Sequence, residues 1–195
     1  PDYKKSTEYF DRVYGRGRWT NAIALNLAIG QGENAQTLIN MVRFYAALAN
    51  GGRVPTPYLV APRQAPPPAI VLPDTTFLGI RNALIAVVER GTARGARLAN
   101  LRLAGKTGTA QNPHGPDHGW FIGFAPADHP RIVVGGIMEF GLHGTTVAPY
   151  VARVVSRYLL GPDLARGSES NFVPLLIPDD SAPRSLLLDS ARGRR

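Results

Sequence analysis

The chain has 195 residues, 44% hydrophobic and 18% charged, with 17 prolines and 21 glycines. Those proportions fit one folded unit with a sizeable core and exclude a disordered polymer, because the prolines and glycines punctuate apolar segments. The net charge of +8 comes from basic residues scattered singly, without a stripe of interleaved aromatics. It argues against nucleic acid as a partner and leaves anionic lipid headgroups or an acidic polymer as targets of a basic surface.

No cysteine is present, which removes disulfide and thiolate chemistry and says nothing about compartment. No run of apolar residues is long enough to span a bilayer, and nothing has the layout of a signal peptide. The chain opens at Pro1 without an initiating Met, so it is expected to be a segment of something longer.

In chain order, residues 1–20 are polar and aromatic and predict a short helix before a Gly15–Gly17 turn. Asn26 to Gly32 forms an apolar run closing on a glycine-flanked turn. Residues 37–49 predict a helix, with Leu38, Met41, Val42, Tyr45 and Leu48 on one face, Thr37 or Asn34 as cap, and Asn50-Gly51-Gly52 as a left-handed stop. The prolines between 53 and 73, including Pro66-Pro67-Pro68, predict a surface excursion or short edge strands. Asp74 or Thr75 opens a second helix, with Phe77, Ile80, Leu84, Val87 and Val88 as its apolar face and Gly91 as its end.

Leu101 to Leu103 leads into Lys106-Thr107-Gly108-Thr109. Trp120–Ala125 and Arg131–Phe140 are the clearest strands, and the Pro126 to Pro130 turn between them predicts an antiparallel pair. A last helix is expected over 146–160, with Val147, Val151, Val154, Val155, Tyr158 and Leu159 marking its face. The fold class expected is α/β of the α+β kind, an antiparallel sheet flanked by helices. The division expected is one unit over 1–160 and a tail over 161–195 whose apolar triplets (Leu175 to Ile177, Leu186 to Leu188) show no sustained period.

Gly105-Lys106-Thr107 is not a nucleotide-binding loop. That motif needs an earlier glycine where Asn100 stands, and a helix after the lysine, which Gly108 and Pro113 discourage. The residues suit a different task. A lysine beside a threonine hydroxyl grips a carboxylate through one charge-assisted and one neutral hydrogen bond. Gly108 clears space for a peptide to run close to the backbone, and an N–H just beyond it can face a developing oxyanion. His114 and His118 are separated by Gly115 and Pro116, His129 lies in a turn and His143 in a loop, so no metal centre is expected; a histidine near the cleft, with Asp117 and His118 best placed, is a candidate for ordering its edge.

Six stretches carry a resemblance: L-A-I-G-Q-G-E (27–33), Y-A-A-L-A-N-G-G (45–52), A-V-V-E-R-G-T-A (86–93), A-G-K-T-G-T-A-Q (104–111), W-F-I-G-F-A-P (120–126) and His143-Gly144. In this order and spacing the chain resembles the C-terminal part of the transpeptidase domain of penicillin-binding proteins of the class B, elongation-type (PBP2-like) branch, which combines S-x-x-K, S-x-N and K-T-G elements. The resemblance implies that Lys106 and Thr107 line the cleft, that Gly108 keeps the strand edge open, and that Thr109 supplies an oxyanion-hole N–H with its hydroxyl toward the substrate or β-lactam carboxylate. It also implies that the Ile29-Gly30-Gln31-Gly32 turn supports the cleft from behind without a chemical part, and that Trp120–Ala125 is a core strand.

As an activity it implies cross-linking of peptidoglycan stem peptides through a serine acyl-enzyme, and acylation by β-lactams, with no cofactor. A polytopic membrane glycosyltransferase of the elongation machinery is the implied partner. The implied location is the periplasmic face of the inner membrane, held by an N-terminal anchor.

The nucleophile does not fit this chain. None of Ser6, Ser156, Ser168, Ser170, Ser181, Ser185 and Ser190 has lysine three residues on, and no S-x-N precedes K-T-G. In Ser168-Glu169-Ser170-Asn171 the first serine is one residue too far from the asparagine and the second directly adjacent to it. The nucleophile, its lysine and the S-x-N element are therefore expected on another segment or a companion chain. Three alternatives stay open: a non-catalytic module that binds peptidoglycan or a partner protein, a serine β-lactamase, and a D,D-carboxypeptidase.

Overall fold

A computed structural model describes residues 3–58 and 69–168. The proline run at 66–68 and the triplets at 175–177 and 186–188 lie outside the described residues. Helix α1 (Tyr3–Tyr14) precedes α2 (Asn21–Ala28), α3 (Leu38–Ala49) and α4 (Asp74–Arg90). After one 3₁₀ turn at Arg94–Ala96 come strands β1 (Ala104–Ala110), β2 (His118–Ala125) and β3 (Ile132–Met138), and then α5 (Gly144–Ser168).

Helix α2 stands where the sequence suggested only an apolar run. The Thr20 hydroxyl accepts from Ala22 N at its start, a cap that the apolar periodicity does not signal. For α3 the cap is Thr37, whose Oγ1 accepts from Asn40 N at 3.3 Å.

Among the described residues the strands form one antiparallel sheet in the order β1-β2-β3. Lys106 lies opposite Ile122, Gly108 opposite Trp120 and Ala104 opposite Phe124. Because side chains alternate across a sheet, Trp120, Ile122 and Phe124 face one way, onto the buried Tyr45, Leu48, Phe77, Leu84 and Ile85 of α3 and α4. Phe121 and Ala125 face the other way, onto Val147, Ala148, Val151, Ala152 and Val155 of α5. The sheet is thus the middle layer, and β2 is buried on both faces.

The buried stripe of α5 differs from the expected one. Val154 and Tyr158 are 56% and 72% exposed, while Ala148, Ala152 and Ser156 are buried. Small residues let the helix seat closely on the sheet. They move the centre of the stripe toward 148-152-156, leaving Val154 and Tyr158 on the solvent rim. The helix also runs past 160 to Ser168, across a break at Gly161 (φ 79°).

The Pro126–Pro130 turn closes as predicted, with Arg131 N donating to Ala125 O at 2.9 Å. Ala127 N also donates to Arg102 O at 2.8 Å, so the turn is stitched to the approach to β1. An isolated bridge between Arg53 and Ala69 joins the two described ends of the surface excursion to each other.

The N-terminal arm is built differently. Phe10 is buried against the ring of Trp19, and Trp19 Nε1 donates to Asp11 Oδ1 at 2.8 Å. Neither α1 nor α2 packs against the sheet or another helix among the described residues, and no residue of α2 is buried. Among the described residues, no helix is long and apolar enough to cross a membrane.

Candidate functional site

Strand β1 has no neighbouring strand on its outer side among the described residues, so its backbone groups on that side are left for partners other than a sheet ladder. Its burial changes along its length. Ala104 and Gly105 are buried, whereas Lys106 and Thr109 are exposed. The exposed half faces an open cleft of about 1090 Å³, lined by all four residues of Lys106-Thr107-Gly108-Thr109 together with Gln31, Tyr45, Asp117 and Trp120. The four predicted site residues therefore share one wall.

The lysine and the first threonine meet in an unexpected manner. Neighbours in a strand point to opposite faces, so Lys106 and Thr107 do not stand side by side. Lys106 Nζ instead folds around the free edge, donating to Thr107 O at 2.7 Å and to Thr107 Oγ1 at 3.4 Å. Pairing of the ammonium and the hydroxyl is possible only because β1 is an edge strand. A carboxylate arriving at this edge would take over the contacts that Nζ makes with Thr107.

The hydroxyl of Thr107 has a second partner, Thr92 Oγ1, at 2.8 Å. Thr92 follows Gly91, where α4 ends, and is flanked by the wholly buried Ala93, whose N–H donates to Val87 O at 3.1 Å. It is thus a fixed post against which the Thr107 hydroxyl is oriented. The sequence pattern points to no part for Thr92; its one local signal is a hydroxyl directly after the helix-ending Gly91.

Gly108 owes its small size to crowding from two sides. A Cβ on it would sit 3.3 Å from Trp120 Cβ. Below it, the first residue of α5 presses on the ladder: a Cβ on Gly144 would meet Trp120 O at 2.3 Å, Gly108 O at 2.5 Å and Gly108 N at 2.7 Å. Only a residue without Cβ fits there. His143-Gly144 is thereby a buttress under the strand, and His143 is not among the residues lining the cleft.

The 29–32 turn lies on the rim of the cleft, not behind it. Gln31 Nε2 donates to Thr109 O at 2.9 Å, and Gln31 Oε1 accepts from Gln111 N at 3.3 Å. The placement depends on a fold that brings residues about eighty positions apart together, which a local pattern does not encode.

Asp117 lines the cleft and accepts from Asn112 N at 3.2 Å, bracing the β1–β2 connection. His118 turns elsewhere: Nδ1 accepts from Phe140 N at 3.0 Å, and the ring meets that of Phe140 edge-on. Its proton on that geometry belongs on Nε2. No group of three metal-ligating side chains occurs among the described residues.

Tyr45 lines the cleft floor, and burial pushes its phenol above the ordinary 10.0, keeping it neutral. Trp120 packs against the core of α3 and α4, as expected of a core strand, and also lines the cleft; its Nε1 is buried without a hydrogen-bond partner among the described residues. Ser156 is wholly buried in α5 and cannot meet a substrate.

Known proteins resemble this architecture. The profile described as Penicillin binding protein transpeptidase domain matches residues 10–156. Peptidoglycan D,D-transpeptidase MrdA of Acinetobacter baumannii is 30% identical over 186 residues, taking in 82% of this chain and 27% of that protein. Stage V sporulation protein D of Bacillus subtilis is 36% identical over 156 residues, 66% of this chain and 23% of its own length. The crystal structure of Pseudomonas aeruginosa PBP2 in complex with WCK 5153 superposes with a TM-score of 0.67 at 34% identity, covering 79% of this chain and 36% of that one. The chain spans about a quarter of the length of these curated relatives. By sequence profile, identity and fold, this chain belongs to the penicillin-binding protein transpeptidase family.

Proposed function

We propose that this chain forms the carboxylate-gripping and oxyanion-forming wall of a class B, elongation-type D,D-transpeptidase, as its C-terminal part. The observation that carries the reading is the exposed edge of β1, where Lys106 Nζ lies 3.4 Å from Thr107 Oγ1 beside an open cleft. A stem-peptide or β-lactam carboxylate binds Lys106 and the hydroxyls of Thr107 and Thr109, and Thr109 N–H faces the carbonyl under attack. Thr92 orients the Thr107 hydroxyl.

A serine on a segment outside these residues attacks the D-Ala-D-Ala carbonyl, its lysine takes the hydroxyl proton, and terminal D-Ala leaves. The acyl group then passes to an amine of a neighbouring stem peptide. A periplasmic location, a membrane anchor and a membrane glycosyltransferase partner belong to the same reading.

A second reading is favoured by one observation, that no serine in the chain has lysine three residues on: a module that holds peptidoglycan or a partner protein without acylation. Fluorescent penicillin separates the two. Labelling of the full-length gene product and none of this chain alone is expected. A folded full-length product that takes no label sinks the transpeptidase, and labelling of this chain alone sinks the assignment of the nucleophile elsewhere.

A further inference from the structure

The outer edge of β1 is already partly occupied, by a side chain. Thr109 O and Gln111 N are two outward backbone groups of consecutive same-side positions, and the single carboxamide of Gln31 satisfies both, at 2.9 Å and 3.3 Å. A neighbouring strand would offer this edge one N–H and one C=O at the same place. Since N–H and C=O of one residue in an antiparallel strand point the same way, Thr109 N–H also faces outward, directly before the groups held by Gln31.

The base of the Gln31 side chain is fixed as well. Its own N–H donates to Asn26 O at 2.9 Å, and the flanking Gly30 and Gly32 have φ of 77° and 66°, values that side-chain-bearing residues rarely adopt. The turn therefore aims one carboxamide at one place on β1.

We propose that Gln31 is a positioning residue for the oxyanion donor, its one carboxamide holding the edge where no neighbouring strand pairs among the described residues. The inference rests on the reading of Thr109 N–H given above. Without that support, the outer half of β1 is exposed, unpaired on one side and hinged at Gly108, whose lack of Cβ leaves its backbone soft. Gly144 presses the strand from beneath, and Gln31 holds it from the side. Together they fix the peptide plane from which Thr109 N–H projects. Gln31 also marks where pairing by an extended ligand meets a filled edge, at Thr109 C=O.

The test uses the full-length gene product with Gln31→Ala and the near-isosteric Gln31→Glu, whose carboxylate cannot donate to Thr109 C=O. Amide exchange at Gln111 N–H is read together with the acylation rate constant and the noncovalent binding constant for benzylpenicillin. Loss of the acceptor for Gln111 N–H is expected to speed exchange at Gln111 about tenfold in Gln31→Ala and to leave it protected in Gln31→Glu, while loss of the donor to Thr109 C=O slows acylation about tenfold in both variants, with noncovalent binding and the unfolding midpoint unchanged. Wild-type exchange in Gln31→Ala, or wild-type acylation in both variants, would overturn the proposal. Faster acylation in Gln31→Ala would overturn it too, because Gln31 would then be competing with the ligand for Thr109 C=O. If the unsubstituted protein is not acylated, the transpeptidase reading fails. Exchange at Gln111 still decides whether Gln31 closes the edge.

Discussion

In the sheet-and-helix body, Phe121, Phe124 and Val155 are wholly buried, whereas in the N-terminal arm Leu25 and Ile29 are 65% and 67% exposed and α2 buries nothing. Both regions carry large apolar side chains. The difference lies in what each has to pack against. The body closes its own core on both faces of the sheet. The arm has a local cluster around Phe10, a hydrogen bond from the Tyr14 hydroxyl to Glu33, which holds that phenol above its ordinary 10.0, and the Gln31 carboxamide on β1. The candidate site lies at the seam, one side rigid through packing and the other held by directional bonds. Affinity for a carboxylate is expected to follow the body, and alignment of the oxyanion donor the arm.

Substitution of core residues sets the upper end of the comparison. Phe121→Ala should cost about 3–5 kcal/mol, because the side chain is enclosed between β1, β3 and α5. Leu25→Ala should stay within about 0.5 kcal/mol in chemical denaturation of this chain. A large cost for Leu25→Ala in the full-length product alone would show that another segment covers α2.

Next comes the buttress. Gly144→Ala places a methyl group inside the contact distance of three backbone atoms of β1 and β2. A loss of about 2–3 kcal/mol is expected, read as a lowered unfolding midpoint together with slower penicillin acylation. An unaffected variant would mean that α5 is free to lift from the ladder.

Lys106→Ala removes the charged partner proposed for the carboxylate. Acylation efficiency of the full-length product should fall about tenfold to a hundredfold, with stability unchanged because the ammonium is exposed. Wild-type acylation kinetics would refute the role given to this lysine.

Thr92→Val keeps the shape and deletes the hydroxyl that meets Thr107 Oγ1 at 2.8 Å. About a fivefold loss of acylation efficiency is expected, from one neutral hydrogen bond of about 1 kcal/mol. Thr92→Ser should restore most of it, which a purely steric role would not allow.

The smallest effect concerns pH. Tyr45 has its phenol raised by burial, so the folded state holds this proton more tightly than the unfolded chain. Stability is independent of the group below the ordinary phenol value of 10.0 and declines as pH rises through the raised one. Denaturation midpoints between pH 8 and the alkaline limit should show that decline, and Tyr45→Phe should flatten it.

Much of the body is legible in the sequence. The α3 and α4 periodicities, the Gly91 stop and the Pro126–Pro130 turn are local patterns, and local patterns act through nearest neighbours along the chain. The role proposed for Lys106-Thr107-Gly108-Thr109 draws on a local pattern too: four adjacent residues carry the whole signal. The exposed Val154 and Tyr158 show the limit. Assigning a helix face from large residues alone misses small ones such as Ala148 and Ala152, which decide how closely the helix seats.

What the sequence determined by itself is the identity of the wall: a cation, two hydroxyls and a glycine on one strand, and no serine with its lysine in the chain. Tertiary structure alone decided that β1 is an edge among the described residues, that Lys106 therefore reaches Thr107 around it, and that Thr92, Gly144 and Gln31 brace the strand from the back, beneath and the side. These partners come from positions 92, 144 and 31, brought to one strand by the packing of α4, by α5 and by a glycine turn. A contact of that kind has no local signature, because its energy comes from chain segments that meet only after the fold has formed.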